Sequence, residues 1–375
     1  MTANAPEVLS VGPAVPKKSR LVQIINDLGR GGAETLLVGL LPELNRHFDL
    51  LLVTLRGSSE FSDNELAGTR REVLGFDRVR KLPAAVFALR RLLKKFQPNL
   101  VVSHLYWSTI VARLATPRRI PHLSNLHLPM SQGAFTPDFT GRTLKALEKM
   151  TYSRREILLG VSHHVVKDYD RVIGVKGRRY VLYNYVNDAF FESPPPPSYV
   201  PGHQLRLVAV GNPRPQKNYE QLVRAMTLLE PGTASCDVYG DSPWREELQR
   251  LVDKLKVPVF LKGKASDIHT RLRDYDAYLM CSGYEGFGIA AAEAMALGLP
   301  MLLSNLDVLR EVSGGNAIFF NPQDPAELAA RIREFRNGKY RMKELSERGR
   351  ELARQRYSRE AYVAKLLEIY RENMR

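Results

Sequence analysis

The stretch CSGYEGFGIAAAEAMALGLP, opening at Cys281, sets two carboxylates, Glu285 and Glu293, in a run of glycine and alanine. An apolar strand pattern, AYLMCS, precedes the glycines and a helix pattern, GIAAAEAMALG, follows, so GYEGFG is a strand-to-helix turn. Gly286 and Gly288 in such a turn present backbone N–H groups at the positive end of a helix, a place suited to phosphate. Carboxylates do not bind phosphate, but they accept hydrogen bonds from paired sugar hydroxyls. Glu285 and Glu293 are separated by roughly 12 Å at about 1.5 Å per helical residue. One ligand with a central diphosphate and a sugar at each end spans that distance. The plainer alternative makes Glu293 an exposed helix residue and the glycines mere caps. Against it, an alanine-lined helix is usually buried, where an unpaired carboxylate is costly.

A second constellation, VGNPRPQKN at 210–218, again lies between a strand pattern and a helix pattern. Arg214 and Lys217 put two cations in a turn rather than on a solvated face. They could neutralise a diphosphate leaving group, each charge-assisted bond contributing about 1.5–3 kcal/mol. Taken singly, a loop cation is ordinarily surface charge.

The elements that must position these turns repeat along the chain. RLVQIINDLGRGGAETLLVGLLPEL reads as a strand at 21–25, a turn with Gly29, Gly31 and Gly32, and a helix from Leu36. Strand patterns recur in FDLLLVTL, PNLVVSHL, IPHLSNLHL, EILLGVS and RRYVLYNYV. The alternation of strands with helices predicts an α/β fold with a parallel sheet covered on both faces. The proline-rich stretch ESPPPPSYVPGHQ at 192–204 cannot join a sheet interior and reads as a linker. Beyond it the alternation restarts with LRLVAVG, SCDVYGD, PVFLKG, DAYLMCS, LPMLLSN and NAIFFN. The expected division is a loose tail at 1–19, one domain at 20–191, the linker at 192–204 and a second domain at 205–375, with a cleft between the carboxyl ends of two sheets. Tyr362, Leu366, Ile369 and Tyr370 share one face of a last helix. That helix either ends the second domain or crosses back, so that 359–375 packs on the first.

Composition narrows the partners. The 375 residues are 44% hydrophobic and 25% charged, which is globular. Two cysteines, Cys236 and Cys281, without metal-ligand spacing indicate neither a disulfide framework nor a zinc site. Prolines and glycines interrupt the first twenty residues, which do not read as a signal peptide. The net charge of +15 calls for an anionic partner. Aromatic and basic residues are not interleaved as a nucleic-acid platform requires, so nucleic acid is not expected. The segment AAVFALRRLLKKFQP sets Val86, Leu89, Leu93 and Phe96 on one helix face and Arg90, Arg91, Lys94 and Lys95 on another. The apolar face reads as packed on the sheet, while the basic one is solvated or rests on an anionic membrane.

Glu285-GFGIAAA-Glu293 followed by AMALGLP, with GNPRPQKN before it and GRGGAE near the amino end, resembles the retaining glycosyltransferases of family 4, from about Arg20 to the final helix. The resemblance implies the GT-B fold: two Rossmann-like domains facing across a cleft, the first for the acceptor and the second for a nucleotide sugar. It implies that Glu285 holds the donor sugar, the backbone of Gly286, Phe287 and Gly288 the diphosphate, and Glu293 the ribose hydroxyls. Lys217 falls at the family's diphosphate-binding lysine. Where the family commonly has arginine directly after the glycine, this chain has Gly211 followed by Asn212, and Arg214 is the candidate to reach the same phosphates. Gly31 and Gly32 would form the loop between donor and acceptor. His127, in SNLHLP, resembles the histidine that contacts the donor sugar, and His104 matches another strand-end histidine. A lone strand-end histidine is otherwise structural. The segments 239–241 and 260–263, the latter ending at Gly263, would flank the base.

No DxD-like pair stands at a strand end, so the expected transfer is metal-independent and cofactor-free, with a nucleotide-diphosphate sugar as donor and a saccharide or lipid-linked acceptor. Such an enzyme would be cytoplasmic, with the inner face of the cytoplasmic membrane as a peripheral site. The rival readings are a non-catalytic sugar-nucleotide-binding relative or assembly partner, an epimerase, and a pyridoxal-phosphate phosphorylase. The glutamate pair fits the last two less well.

Overall fold

Runs such as LVQII and LLLVT are buried at every position and nearly all apolar because helices cover both faces of the sheets they enter. The computed structural model describes residues 18–66, 68–134, 139–197 and 199–374. The first sheet holds β1 (Arg20–Ile25), β2 (Asp49–Thr54), β3 (Arg70–Val73), β4 (Leu100–His104), β5 (His122–Leu126), β6 (Ile157–Gly160) and β7 (Arg179–Val181), in the order β3-β2-β1-β4-β5-β6-β7. The second holds β8 (Leu205–Val210), β9 (Ala234–Tyr239), β10 (Val259–Gly263), β11 (Ala277–Met280), β12 (Met301–Ser304) and β13 (Ile318–Phe320), in the order β10-β9-β8-β11-β12-β13. All ladders between named strands are parallel.

In each sheet the chain builds outward from a central strand, returns, and builds the other way. The reversals fall between β1 and β4 and between β8 and β11. At such switch points neighbouring turns leave the sheet in opposite directions and open a crevice at the carboxyl ends. The turns at Gly29–Gly32, Gly211–Lys217 and Ser282–Gly288 follow β1, β8 and β11, so the topology carries the chemically distinctive segments to these two crevices.

Two strands depart from the sequence reading. β3, with sequence RREV, escaped it because three of its four residues are charged and it is mostly exposed at a sheet edge, where no second face demands apolar residues. The long pattern RRYVLYNYV shrinks to three residues in β7, also an edge. The helix Leu82–Phe96 buries Ala85, Leu89, Leu93 and Phe96 as its periodicity requires. Residues 18 and 19 are tied down: Lys18 Nζ donates to the Asn45 carbonyl at 2.8 Å, and the Ser19 carbonyl accepts from Asp49 N–H at 3.0 Å. The remainder of the expected tail lies outside the described residues.

The last helix, Arg359–Asn373, packs against the first sheet's core. Tyr362, Leu366, Ile369 and Tyr370 share one apolar cluster with Leu21, Leu37, Leu52 and Leu100. It follows the helix Met342–Tyr357, which packs on the second sheet's side, with Gly349 close to Met295. A separate cluster runs through the seam between the sheets. It joins Leu126, Val165 and Tyr169 from the first half to Met280, Phe287, Ala291 and Tyr357 from the second.

Candidate active site

Lys217 closes a short 3-10 turn, Pro215–Lys217, and Asn218 in the left-handed region (φ 54°) redirects the chain into the helix Tyr219–Met226. Glu285 stands in the turn after β11. The two turns are stitched together: Gly283 N–H donates to the Gln216 carbonyl at 2.9 Å, and Gln216 Nε2 donates to the Tyr284 carbonyl at 3.1 Å. Lys217 Nζ donates to Glu285 Oε1 at 2.7 Å, and Ser282 Oγ donates to the same oxygen at 2.7 Å. The side chains are 19% and 8% exposed, so the pair is largely withdrawn from water, where its attraction is strong and each ion offsets the other's desolvation. Both bonds use Oε1. Gly211 makes room for this lysine, since a Cβ there would stand 2.9 Å from Lys217 Cε.

Gly286 belongs to both halves of the molecule. A Cβ on it would overlap the His127 carbonyl oxygen, and its own carbonyl accepts from Ser162 Oγ at 2.7 Å. Gly288 (φ 84°) then starts the helix Ile289–Leu297, buried almost throughout, which ends on left-handed Gly298. Glu293 lies on that helix. It is partly covered and has no hydrogen-bond or ion-pair partner among the described residues, and burial alone pushes its pKa up to about 8. Phe287 turns its ring away from the backbone turn into the seam, 5.3 Å from Tyr357 and 6.1 Å from Tyr183 between centroids.

The facing crevice sets two neutral imidazoles against this pair. His127 follows β5 and His104 ends β4; His127 Nε2 lies 3.1 Å from His104 Nδ1. Burial lowers the His127 pKa to about 4, and burial together with the neighbouring His127 drives His104 well below its ordinary value. His104 Nε2 meets Gln23 Oε1 at 2.8 Å, and Gln23 Nε2 donates to Tyr370 Oη at 3.1 Å. Gly31 precedes the helix Gly32–His47, and Glu34 folds its carboxylate back so closely that a Cβ on Gly31 would strike it. A Cβ on Gly32 meets nothing within 4 Å. Burial raises the Glu34 pKa, and the charge of Arg214, reaching over from the second half, lowers it.

The structure therefore gathers Lys217, Glu285, Gly286 and His127 at one seam, with Gly211 beneath the lysine. Arg214 is exposed at the mouth and faces Glu34 electrostatically. Asn212 is spent on the fold, its Oδ1 accepting from Asp241 N–H at 3.1 Å. Gly263 is left-handed (φ 75°) at the end of β10, and its carbonyl accepts from Gly240 N–H at 2.9 Å. Sequence reasoning missed Ser282, Gln216, Ser162 and the Gln23–Tyr370 bond. Glu311 was missed as well. It caps the helix His163–Ile173 from across the seam, accepting from His163 N–H at 2.7 Å and His164 N–H at 3.1 Å. Ser282 lies inside the quoted stretch, three residues before Glu285, and was the one legible omission.

Two family profiles match the chain: the one described as Glycosyltransferase Family 4 over residues 30–190, and the one described as Glycosyl transferases group 1 over residues 196–352. With one profile on each sheet and the glutamate pair at the second, the chain belongs to glycosyltransferase family 4. It is 28% identical over 188 residues to the O-antigen chain mannosyltransferase RfbU of Salmonella typhimurium, covering 48% of this chain and 50% of that one. It is 27% identical over 176 residues to the lipopolysaccharide core biosynthesis glycosyltransferase LpsD of Rhizobium meliloti, covering 45% and 50%. The chain thus matches about half the length of each of these relatives. HepE of Anabaena, solved in complex with UDP, superposes with a TM-score of 0.78 at 17% identity over 94% of this chain and 100% of that one. The fold is GT-B.

Proposed function

We propose that the chain is a retaining glycosyltransferase that moves a sugar from a nucleoside-diphosphate sugar to a saccharide or lipid-linked acceptor in cell-surface glycan synthesis, without a metal ion. The observation that carries this reading is the Lys217–Glu285 pair, held one residue from the Gly286–His127 contact. The diphosphate lies over Gly286–Gly288 at the start of the helix Ile289–Leu297, where backbone N–H groups and the helix dipole favour negative charge. Lys217 and Arg214 supply the positive charge that grows in value as the leaving group departs. Glu285 Oε2 accepts from donor-sugar hydroxyls, and Glu293 accepts from the ribose. His127, neutral because it is buried, orients the sugar rather than delivering a proton. The bond from the anomeric carbon to the diphosphate oxygen breaks, and the acceptor oxygen bonds to that carbon on the same face. The acceptor's proton passes to the departing phosphate oxygen, so no enzyme nucleophile is required. The resemblance to RfbU and LpsD supports an envelope glycan as the destination.

No helix among the described residues is long and apolar enough to cross a membrane. The helix Leu82–Phe96 exposes Phe87 (71%) beside Arg91, Lys94 and Lys95, while Arg90 is exposed but bonds the Leu114 carbonyl at 2.7 Å. Each basic group near an anionic bilayer contributes about 1 kcal/mol. This face supports a peripheral position on the cytoplasmic membrane, where a lipid-linked acceptor is presented.

Thermal shift with UDP, GDP, ADP, CMP and their sugar conjugates, with and without chelator, tests the donor site. A ligand of the folded state alone adds about 2.7 kcal/mol at a hundred times its Kd. One nucleotide raising Tm equally in chelator is the expected result. No shift with any of them, or a shift abolished by chelator, overturns the reading. Binding without transfer to any acceptor would favour the non-catalytic relative.

A further inference from the structure

Tyr370, Gln23, His104 and His127 come from the last helix, from β1, from the end of β4 and from the turn after β5, yet they form one hydrogen-bonded line. Tyr370 and Gln23 are fully buried, so no solvent competes for these bonds. The polarity of the line follows from the orientation of the Gln23 amide, whose nitrogen faces Tyr370 and whose oxygen faces His104. Gln23 Oε1 only accepts, so His104 carries its hydrogen on Nε2. A neutral imidazole has a single N–H, which makes His104 Nδ1 an acceptor and His127 Nε2 the donor to it. The lone pair of His127 is then on Nδ1. Turning the Gln23 amide over would reverse every bond and leave His127 with its hydrogen on Nδ1. The amide at the far end of the line therefore sets the tautomer of the histidine at the seam, and the orientation the structure shows needs Tyr370 Oη as the acceptor of its N–H, although the same hydroxyl would donate to the oxygen of a turned amide.

We propose that Tyr370 is a positioning residue of the donor site: acting through Gln23 and His104, it presents His127 Nδ1 as a hydrogen-bond acceptor for a donor-sugar hydroxyl. The ligand half of this statement rests on the donor-site reading above. The last helix, which returns from the second half of the chain to the first, thereby contributes to the chemistry of the seam as well as to the packing of the first core. In Tyr370→Phe the amide as oriented would bury two N–H groups with no acceptor at that end. Turning it over leaves a carbonyl unpaired instead, and orphaned carbonyls are better tolerated than orphaned N–H groups. The variant therefore switches the register of the whole line.

The test uses the full chain labelled with 15N, free of ligand, in wild-type, Tyr370→Phe and Gln23→Met forms, with His127→Asn to assign the ring. Phe and Met nearly conserve volume, and a Tm measurement checks that both variants stay folded. Long-range 1H–15N correlations identify the protonated ring nitrogen. The expected result is Nε2–H for His127 in wild type, mainly Nδ1–H in Tyr370→Phe, and a mixture in Gln23→Met. Nδ1–H in wild type, or unchanged Nε2–H in both folded variants, overturns the proposal. Calorimetry with UDP and UDP-glucose reads the ligand half. Tyr370→Phe should lose about five- to tenfold in affinity for UDP-glucose, the effect of one neutral hydrogen bond, Gln23→Met about twofold because about half of its molecules keep the productive tautomer, and both little for UDP. Equal changes for the two probes overturn it. Failure of wild type to bind either probe counts against the donor reading for these probes, whereas the spectra decide the polarity of the line independently.

Discussion

The two switch points face each other across one seam and are built from opposite chemistry. That of the second sheet carries fixed charge: Lys217 and Glu285 pair at 2.7 Å in a turn tied down by Gln216 and Ser282. That of the first sheet carries neutral groups, with His127 and His104 stripped of charge by burial. The same loss of water produces both results. A cation and a carboxylate buried together offset each other's desolvation, while an imidazole without an acidic neighbour gives up its proton. On the proposed function this is a division of labour, with fixed charge placed to stabilise a leaving diphosphate and neutral polarity placed to orient a sugar.

The strongest way to break the contrast is to remove the charge. Lys217→Ala should lower kcat/KM by about 10²–10³-fold, the typical effect of losing one preorganised electrostatic donor. Steady-state kinetics checks it, and a rate near wild type would place the diphosphate elsewhere. Next comes the line of contact. Gly286→Ala puts a methyl group where the His127 carbonyl lies, so the seam must open. Transfer should drop by up to about 10²-fold, the known cost of a misplacement near 1 Å. Small-angle scattering should report a more open molecule.

Titration sharpens the comparison, because the two lips respond to pH in opposite senses. Glu293, raised to about 8 from an ordinary 4.5, binds more protons folded than unfolded between those values. It therefore makes stability decline as pH rises through that window, and Glu293→Gln should remove the slope from a plot of Tm against pH. If ribose hydroxyls donate to its carboxylate, nucleotide binding at pH 7 releases up to one proton, which calorimetry in buffers of different ionisation enthalpy reads directly. His127, lowered to about 4 from 6.5, binds fewer protons folded than unfolded, so its contribution is lost as pH falls through that range. His127→Asn should flatten the acid side. The smallest effect belongs to Arg214, exposed at the mouth: Arg214→Ala should cost about tenfold or less, mostly in donor KM and more at low salt.

Much of this contrast was legible in the sequence on the charged side and little of it on the neutral side. The carboxylates and cations of the second half lie within short turns between strong strand and helix patterns, so local order alone placed Glu285 and Lys217 at one edge. Their direct pairing was not legible, because it depends on the register between β8 and β11. The neutral line joins residues up to 347 positions apart, and Gln23 sits in a strand where it looks like one polar residue among apolar ones. Nothing in local periodicity marks such a partner. The last helix showed its apolar face plainly and still did not reveal which core it covers, since a stripe of Tyr, Leu and Ile fits either sheet. β3 was hidden for the reverse reason, as an exposed edge strand can be charged without penalty.

The most direct measurement is calorimetric titration of the cognate nucleoside mono- and diphosphates into wild type and Lys217→Ala. The charged lip exists on this account to grip the diphosphate, so the substitution should weaken the diphosphate by about tenfold or more, as expected for a charge-assisted bond. The monophosphate should stay within about twofold. Equal weakening of both ligands, or of neither, would contradict the assignment of Lys217 and the second switch point to the leaving group.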